Sequence, residues 1–224
     1  MKISMINSSN ESKSLNVLDK NCLKGTDTFD YIGEDDSEKL FSIDENNNQV
    51  AEVEACLSKE KAGLQIVRMR TKDKNLEMQK EALQEFTNYV WGESTTSMNH
   101  LVLAIHVLIE GSGMPREVLE PLGFVGKSGE GSILYTLLNP NYMELVETFA
   151  ADEAAVEKLT KFYEIYQKRK DTWLKRFEKQ LENGTLYLSE CKSQKERDYV
   201  QTNIDYCTEV INSLGAKEQS SKHL

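Results

Sequence analysis

An apolar stripe in the C-terminal third constrains this chain more than any other feature. Leu145, Phe149, Val156, Leu159, Tyr163, Tyr166, Trp173 and Phe177 keep three- and four-residue spacing, skipping a position only at Asp152 and at Lys170, and Leu181 extends the row. Residues so spaced share one face of a helix, and an apolar face must be covered by something. The pattern predicts an amphipathic helix of about forty residues closed by Asn183-Gly184, with heptad-like packing against a similar helix. A last helix is expected over 189–214 on Val200, Ile204, Cys207, Ile211 and Leu214, ending at Gly215.

Upstream, Val53, Leu57, Leu64 and Val67, then Leu76, Leu83, Phe86 and Val90, read as a further helical stripe. It is one helix or two, with a break near Thr71–Asn75 and a stop at Gly92. Residues 98–110 are apolar on most faces, from Leu101 to Ile109, as expected of a central helix. Pro115 suits the first turn of a short element ending near Leu122. Residues 123–132 hold four glycines and read as a mobile loop, 133–138 as a short strand or a helical turn, and Asn139-Pro140 as a boundary. The chain has three prolines, none before Pro115. An all-β architecture, with turns every ~8–12 residues, is therefore disfavoured. The expected fold is all-α: an elongated, coiled-coil-like helical bundle with two long antiparallel helices and a central hydrophobic helix. Its expected divisions are an acidic arm over 1–49, a helical domain over 50–216 and a frayed tail over 217–224.

The arm holds ten acids against five lysines, within a chain of formal net charge −10. Binding phosphate backbones or anionic membranes needs clustered Lys and Arg, so nucleic acid and membrane surfaces are disfavoured as partners. Polar sequence of this kind buries too little apolar area to offset its ordering entropy, which predicts a disordered or extended arm. Two apolar islands interrupt it, and Phe29, Tyr31, Leu40 and Phe41 are their candidate interaction residues. The four cysteines show no CxxC spacing and suit a reducing compartment. No apolar signal-peptide core follows Lys2, and the run from Leu101 to Ile109 is about half of a membrane span, so a cytoplasmic location is expected.

Three strings carry possible chemistry. Pro121-Leu-Gly-Phe-Val-Gly-Lys-Ser128 has Pro where a phosphate-wrapping loop needs its first glycine amide, and a flexible linker is the better reading. His106 and Glu110 are one helical turn apart, but His100 lies far round the helix, so the three do not form a zinc set. A histidine hydrogen-bonded to a neighbour is the expectation there. The basic run Lys168–Arg176, close to Tyr163, Tyr166 and Trp173, is read as an exposed helix face pairing with acids. No catalytic residue, cofactor or metal is assigned.

These features point to a helical protein–protein interaction or assembly protein, more a non-enzyme than an enzyme. It would act through the arm and through Tyr163, Tyr166, Trp173 and Phe177. One version is a bacterial secreted effector or secretion-associated factor whose Ser/Asn/Ile-rich first twenty residues form an uncleaved leader. The competing classes are a helical nucleic-acid-associated regulator and an enzyme whose site forms only by tertiary convergence.

Overall fold

The computed structural model describes residues 1–6, 38–58, 63–73, 75–96, 102–128 and 132–215. Its centre is a mixed seven-stranded sheet, ordered β1-β2-β3-β4-β5-β7-β6. The strands are β1 (Lys2–Ile6), β2 (Glu38–Glu45), β3 (Asn48–Ser58), β4 (Gly63–Thr71), β5 (Ala104–Leu108), β6 (Val125–Ser128) and β7 (Ile133–Leu138). The helices are α1 (Leu76–Thr96), two single turns, α2 (Ile109–Ser112) and α3 (Arg116–Leu119), then α4 (Tyr142–Phe149), α5 (Glu153–Leu188) and α6 (Gln194–Gly215). A 3-10 turn, Glu120–Leu122, follows α3. All neighbouring strands are antiparallel except β4 and β5, which run parallel and are joined through α1.

The all-α helical-bundle expectation is thus wrong. Its error lies in the period. In β3, Ala51, Val53 and Ala55 are buried while Glu52, Glu54 and Cys56 between them are not, the two-residue alternation of a strand. Val53, Leu57, Leu64 and Val67 imitate a helical stripe because they straddle two strands. The expected central helix contains β5 instead, whose side chains from Ala104 to Val107 are all buried, and a strand covered on both faces reads as an unbroken apolar run. Half of the expected mobile glycine loop is β6, paired with β7 from Val125↔Thr136 to Ser128↔Ile133. The stretch read as one acidic arm contains β1 and β2. Asn46 and Asn47, both at positive φ (51° and 63°), form the tight turn from β2 to β3, as asparagine tolerates.

Two apolar clusters take opposite faces of the sheet. Ile105, Val107, Tyr135 and Leu137 join Leu83, Phe86 and Val90 of α1, with Phe86 edge-on to Phe41 at 5.1 Å between centroids. Ala104 and Leu138, which point the other way, join Tyr142, Leu145, Leu159, Tyr166 and Phe177 of α4 and α5 and Val210 and Leu214 of α6. The long stripe is therefore real, but it is split. The chain turns at Ala150–Asp152, and the Asp152 carboxylate caps α5 by accepting from the Ala155 amide at 2.8 Å. α5 and α6 pack against each other as a long helix pair, laid on a sheet that the sequence reading did not expect.

Trp173 packs against both clusters. It sits on edge strand β6, where a Cβ built on Gly126 would fall 2.7 Å from Trp173 Cζ2. Only glycine lets the indole this close. α5 thereby covers a strand edge that would otherwise offer itself for aggregation.

Candidate functional site

Of the eight residues proposed from sequence as an interaction set, the six that are described fall on β2 and α5. Phe29 and Tyr31 lie outside the described residues. Leu40 is half-buried in β2 and Phe41 sits in the α1-side core, near Phe86 and Tyr89. Tyr163 stacks on Tyr142 at 5.4 Å, the buried Tyr166 hydroxyl donates to the Thr136 carbonyl at 3.4 Å, and Trp173 and Phe177 pack together at 5.8 Å. His106 is buried in β5, with Nδ1 3.1 Å from the Thr136 hydroxyl. Among the described residues no group of three His, Cys, Asp or Glu could hold a metal, and His100 lies outside them. The Gly126-Lys127-Ser128 string lies in strand β6.

What the sequence reading missed is a break between the two parallel strands. β4 and β5 pair from Gly63↔Ala104 to Ile66↔Val107, and β4 then runs on to Thr71 paired with β3 alone. At the point of parting, β4 carries a bulge: Ile66 faces Ala55 and Arg68 faces Glu54, so Val67 is the extra residue. A bulge bends and twists its strand, and such features gather beside binding sites. Here the bulge sits where parallel pairing ends, at Ile66↔Val107, one residue before β5 itself stops at Leu108. In open α/β sheets ligands bind outside the carboxyl ends of the strands, at a topological switch point.

Three features stand at the carboxyl ends of β4 and β5. The first is the β4 stretch Val67–Thr71, whose main chain on the β5 side has no ladder partner among the described residues. The second is the return from β5. After β5 the chain returns to β4 at Gly113, at φ 76°, and a Cβ there would lie 2.9 Å from the Met69 carbonyl oxygen. The buried Met114 anchors this return, its amide donating to Ser112 Oγ at 3.3 Å. The third is the start of α1, a 21-residue helix whose first turn follows β4 within a few residues. Asn75 caps it, accepting from the Glu77 amide at 2.9 Å, and the remaining first-turn amides favour an anion. Glu77 does not compete for them, since its carboxylate pairs with Lys80 at 3.1 Å. Arg70 and Lys72 stand exposed at the end of β4, with Arg70 3.4 Å from Glu52.

Away from these strand ends, Glu120 is buried at 4% exposure and bridges two elements. Its carboxylate accepts from the Tyr135 hydroxyl at 2.8 Å and from the Tyr206 hydroxyl. Burial, and then the hydrogen bond to Glu120, push both phenols well above tyrosine's ordinary range. This knot ties α6 to β7 and the 3-10 turn.

No family model matches the chain. No curated protein matches it. Among solved structures, a chain of the AtaT-AtaR complex bound to DNA superposes with a TM-score of 0.39 and 11% identity, over 66% of this chain and 100% of that one. A likeness of that size carries no argument about ligands, and gives no support to setting nucleic acid aside. The reading as a helical interaction or assembly protein falls with the fold it rested on. Its aromatic stripe is spent on the sheet, with Tyr166 and Phe177 only 5% and 3% exposed. No helix among the described residues is long and apolar enough to cross a membrane.

Proposed function

We propose that the protein binds an extended, anionic small molecule in the crevice between β4 and β5 and presents it to a second reactant. The observation that carries this reading is the bulge at Val67, placed where parallel pairing stops. A ligand there meets a row of unused main-chain donors and acceptors, which an amide-bearing chain satisfies in the manner of an added strand. At the far end it meets the amides of the α1 first turn with Arg70 and Lys72 beside them, which suit phosphate. Group carriers of the coenzyme A type combine amides along an arm with phosphates at one end. Carrier-dependent group transfer is thus the reaction class that fits, with this chain's residues orienting the carrier and no covalent protein nucleophile invoked.

Calorimetric titration of the full chain with coenzyme A tests the idea. Binding is expected, and the double charge reversal Arg70→Glu/Lys72→Glu should weaken it at least tenfold, about 1.4 kcal/mol. Failure of coenzyme A to bind, or binding indifferent to both substitutions, would count against the proposal.

A further inference from the structure

At the other end of β5 and β7 a separate cleft of about 310 Å³ opens between the last residues of β7, one face of α5 and the final turn of α6. Since β7 runs antiparallel to β5, with Ala104 opposite Leu138, this cleft and the β4/β5 crevice lie at opposite ends of β5. Lys170 lines it. The residue is 7% exposed, and its ammonium has no hydrogen-bond or ion-pair partner among the described residues. Its stem is packed away while the ammonium stays open to the cleft, where a charge with no acid paired to it can meet an anion.

The surroundings divide into committed and available groups. The Asn139 amide donates to the Val102 carbonyl at 3.0 Å and its oxygen accepts from the Asn141 amide at 2.9 Å. The Tyr166 hydroxyl is engaged with the Thr136 carbonyl. The Tyr163 hydroxyl and the Gln167 amide make no such bond among the described residues, and both line the cleft. Positions 163, 167 and 170 recur at helical spacing, so one face of α5 brings a phenol, an amide and an ammonium together. Among the described residues of the lining the one acid is Asp171, which is exposed.

We infer that this cleft is a binding site for a small oxyanion-bearing molecule, a carboxylate or a phosphate ester, with Lys170 as its counter-charge and Tyr163 and Gln167 as additional donors. The site is independent of the β4/β5 crevice. It also explains the skipped position at Lys170 in an otherwise apolar stripe, because that position faces the cleft.

The test is thermal melting of the full chain against inorganic phosphate and against citrate, at matched ionic strength in chloride. The two anions separate the phosphate and carboxylate sources. One or both should raise the melting temperature of the unaltered protein. Lys170→Met should weaken the response at least tenfold while melting, without anion, no lower than the parent, because methionine keeps the packed stem and no ion pair is lost. Tyr163→Phe should weaken it with little change in stability, and provides the answer should Lys170→Met not fold. Equal responses of parent and variants, or no response to either anion, would overturn the assignment. So would a Lys170→Met protein that melts lower yet keeps the anion response, because Lys170 would then serve only the carbonyl end of α6.

Discussion

Trp173→Ala should lower stability by about 3 kcal/mol, and the melting temperature by roughly 10 °C for a chain of this size. The indole fills the angle between α5 and the β6 edge, meeting Tyr135 at 5.9 Å and Phe177 at 5.8 Å between ring centroids. Arg176 lies 5.7 Å from its ring on the outer side, a cation–π contact of modest size at the surface. Gly126→Val should be comparably damaging in the parent, because its Cβ would collide with Cζ2. In the Trp173→Ala background the same change should be much milder, since the collision partner is absent. That non-additivity, measured by urea unfolding of the four proteins, is the decisive quantity. Additive costs would mean that the two residues do not touch. By contrast, Leu186→Ala, at a site 66% exposed near the end of α5, should change stability by less than about 0.5 kcal/mol.

Glu120→Leu is expected to cost about 3 kcal/mol, since two buried hydroxyls, those of Tyr135 and Tyr206, would lose their acceptor together. Tyr206→Phe should cost less, because Glu120 keeps its bond from Tyr135. The knot also fixes a pH dependence. Both phenols are held protonated in the folded chain by burial and by Glu120, so their stabilisation is complete below tyrosine's ordinary value of about 10 and is lost as pH rises past it. Denaturant unfolding from pH 8 to pH 11 should show stability falling above about pH 10, and less steeply in Tyr206→Phe. A flat profile in the parent would mean that the phenols are not held by this knot.

How much of this was legible in the sequence depends on what each segment packs against. α5 and α6 are amphipathic helices with one covered face, and their stripes were readable, down to the stop at Gly215. α1 was legible from Leu83, Phe86 and Val90. The strands were not, for two physical reasons. β5 is buried on both faces, so its apolar run carries no period to identify it. β3 and β4 alternate correctly, at Ala51-Val53-Ala55 and Leu64-Ile66, but small alanines weaken the signal and the following segment supplied a false helical continuation. The asparagine turn at Asn46-Asn47, between apolar residues on either side, was the local sign of a hairpin. The crevice had no sequence signature, because it depends on register: only the pairing of β3 with β4 shows Val67 to be extra, and only the pairing of β4 with β5 shows where the strands part. Lys170 left a trace, as a polar residue interrupting a stripe, and it was read as solvated surface.

The proposed ligand site lies where β4–β5 pairing ends, beside Val67. The most direct measurement is the backbone amide spectrum of the isotope-labelled full chain during titration with coenzyme A. The largest shifts are expected in two adjoining stretches, Val67–Thr71 and the first turn of α1 from Leu76, with β1, β2 and the α5–α6 pair little changed. Shifts confined to other elements, or no shifts at millimolar ligand, would contradict it.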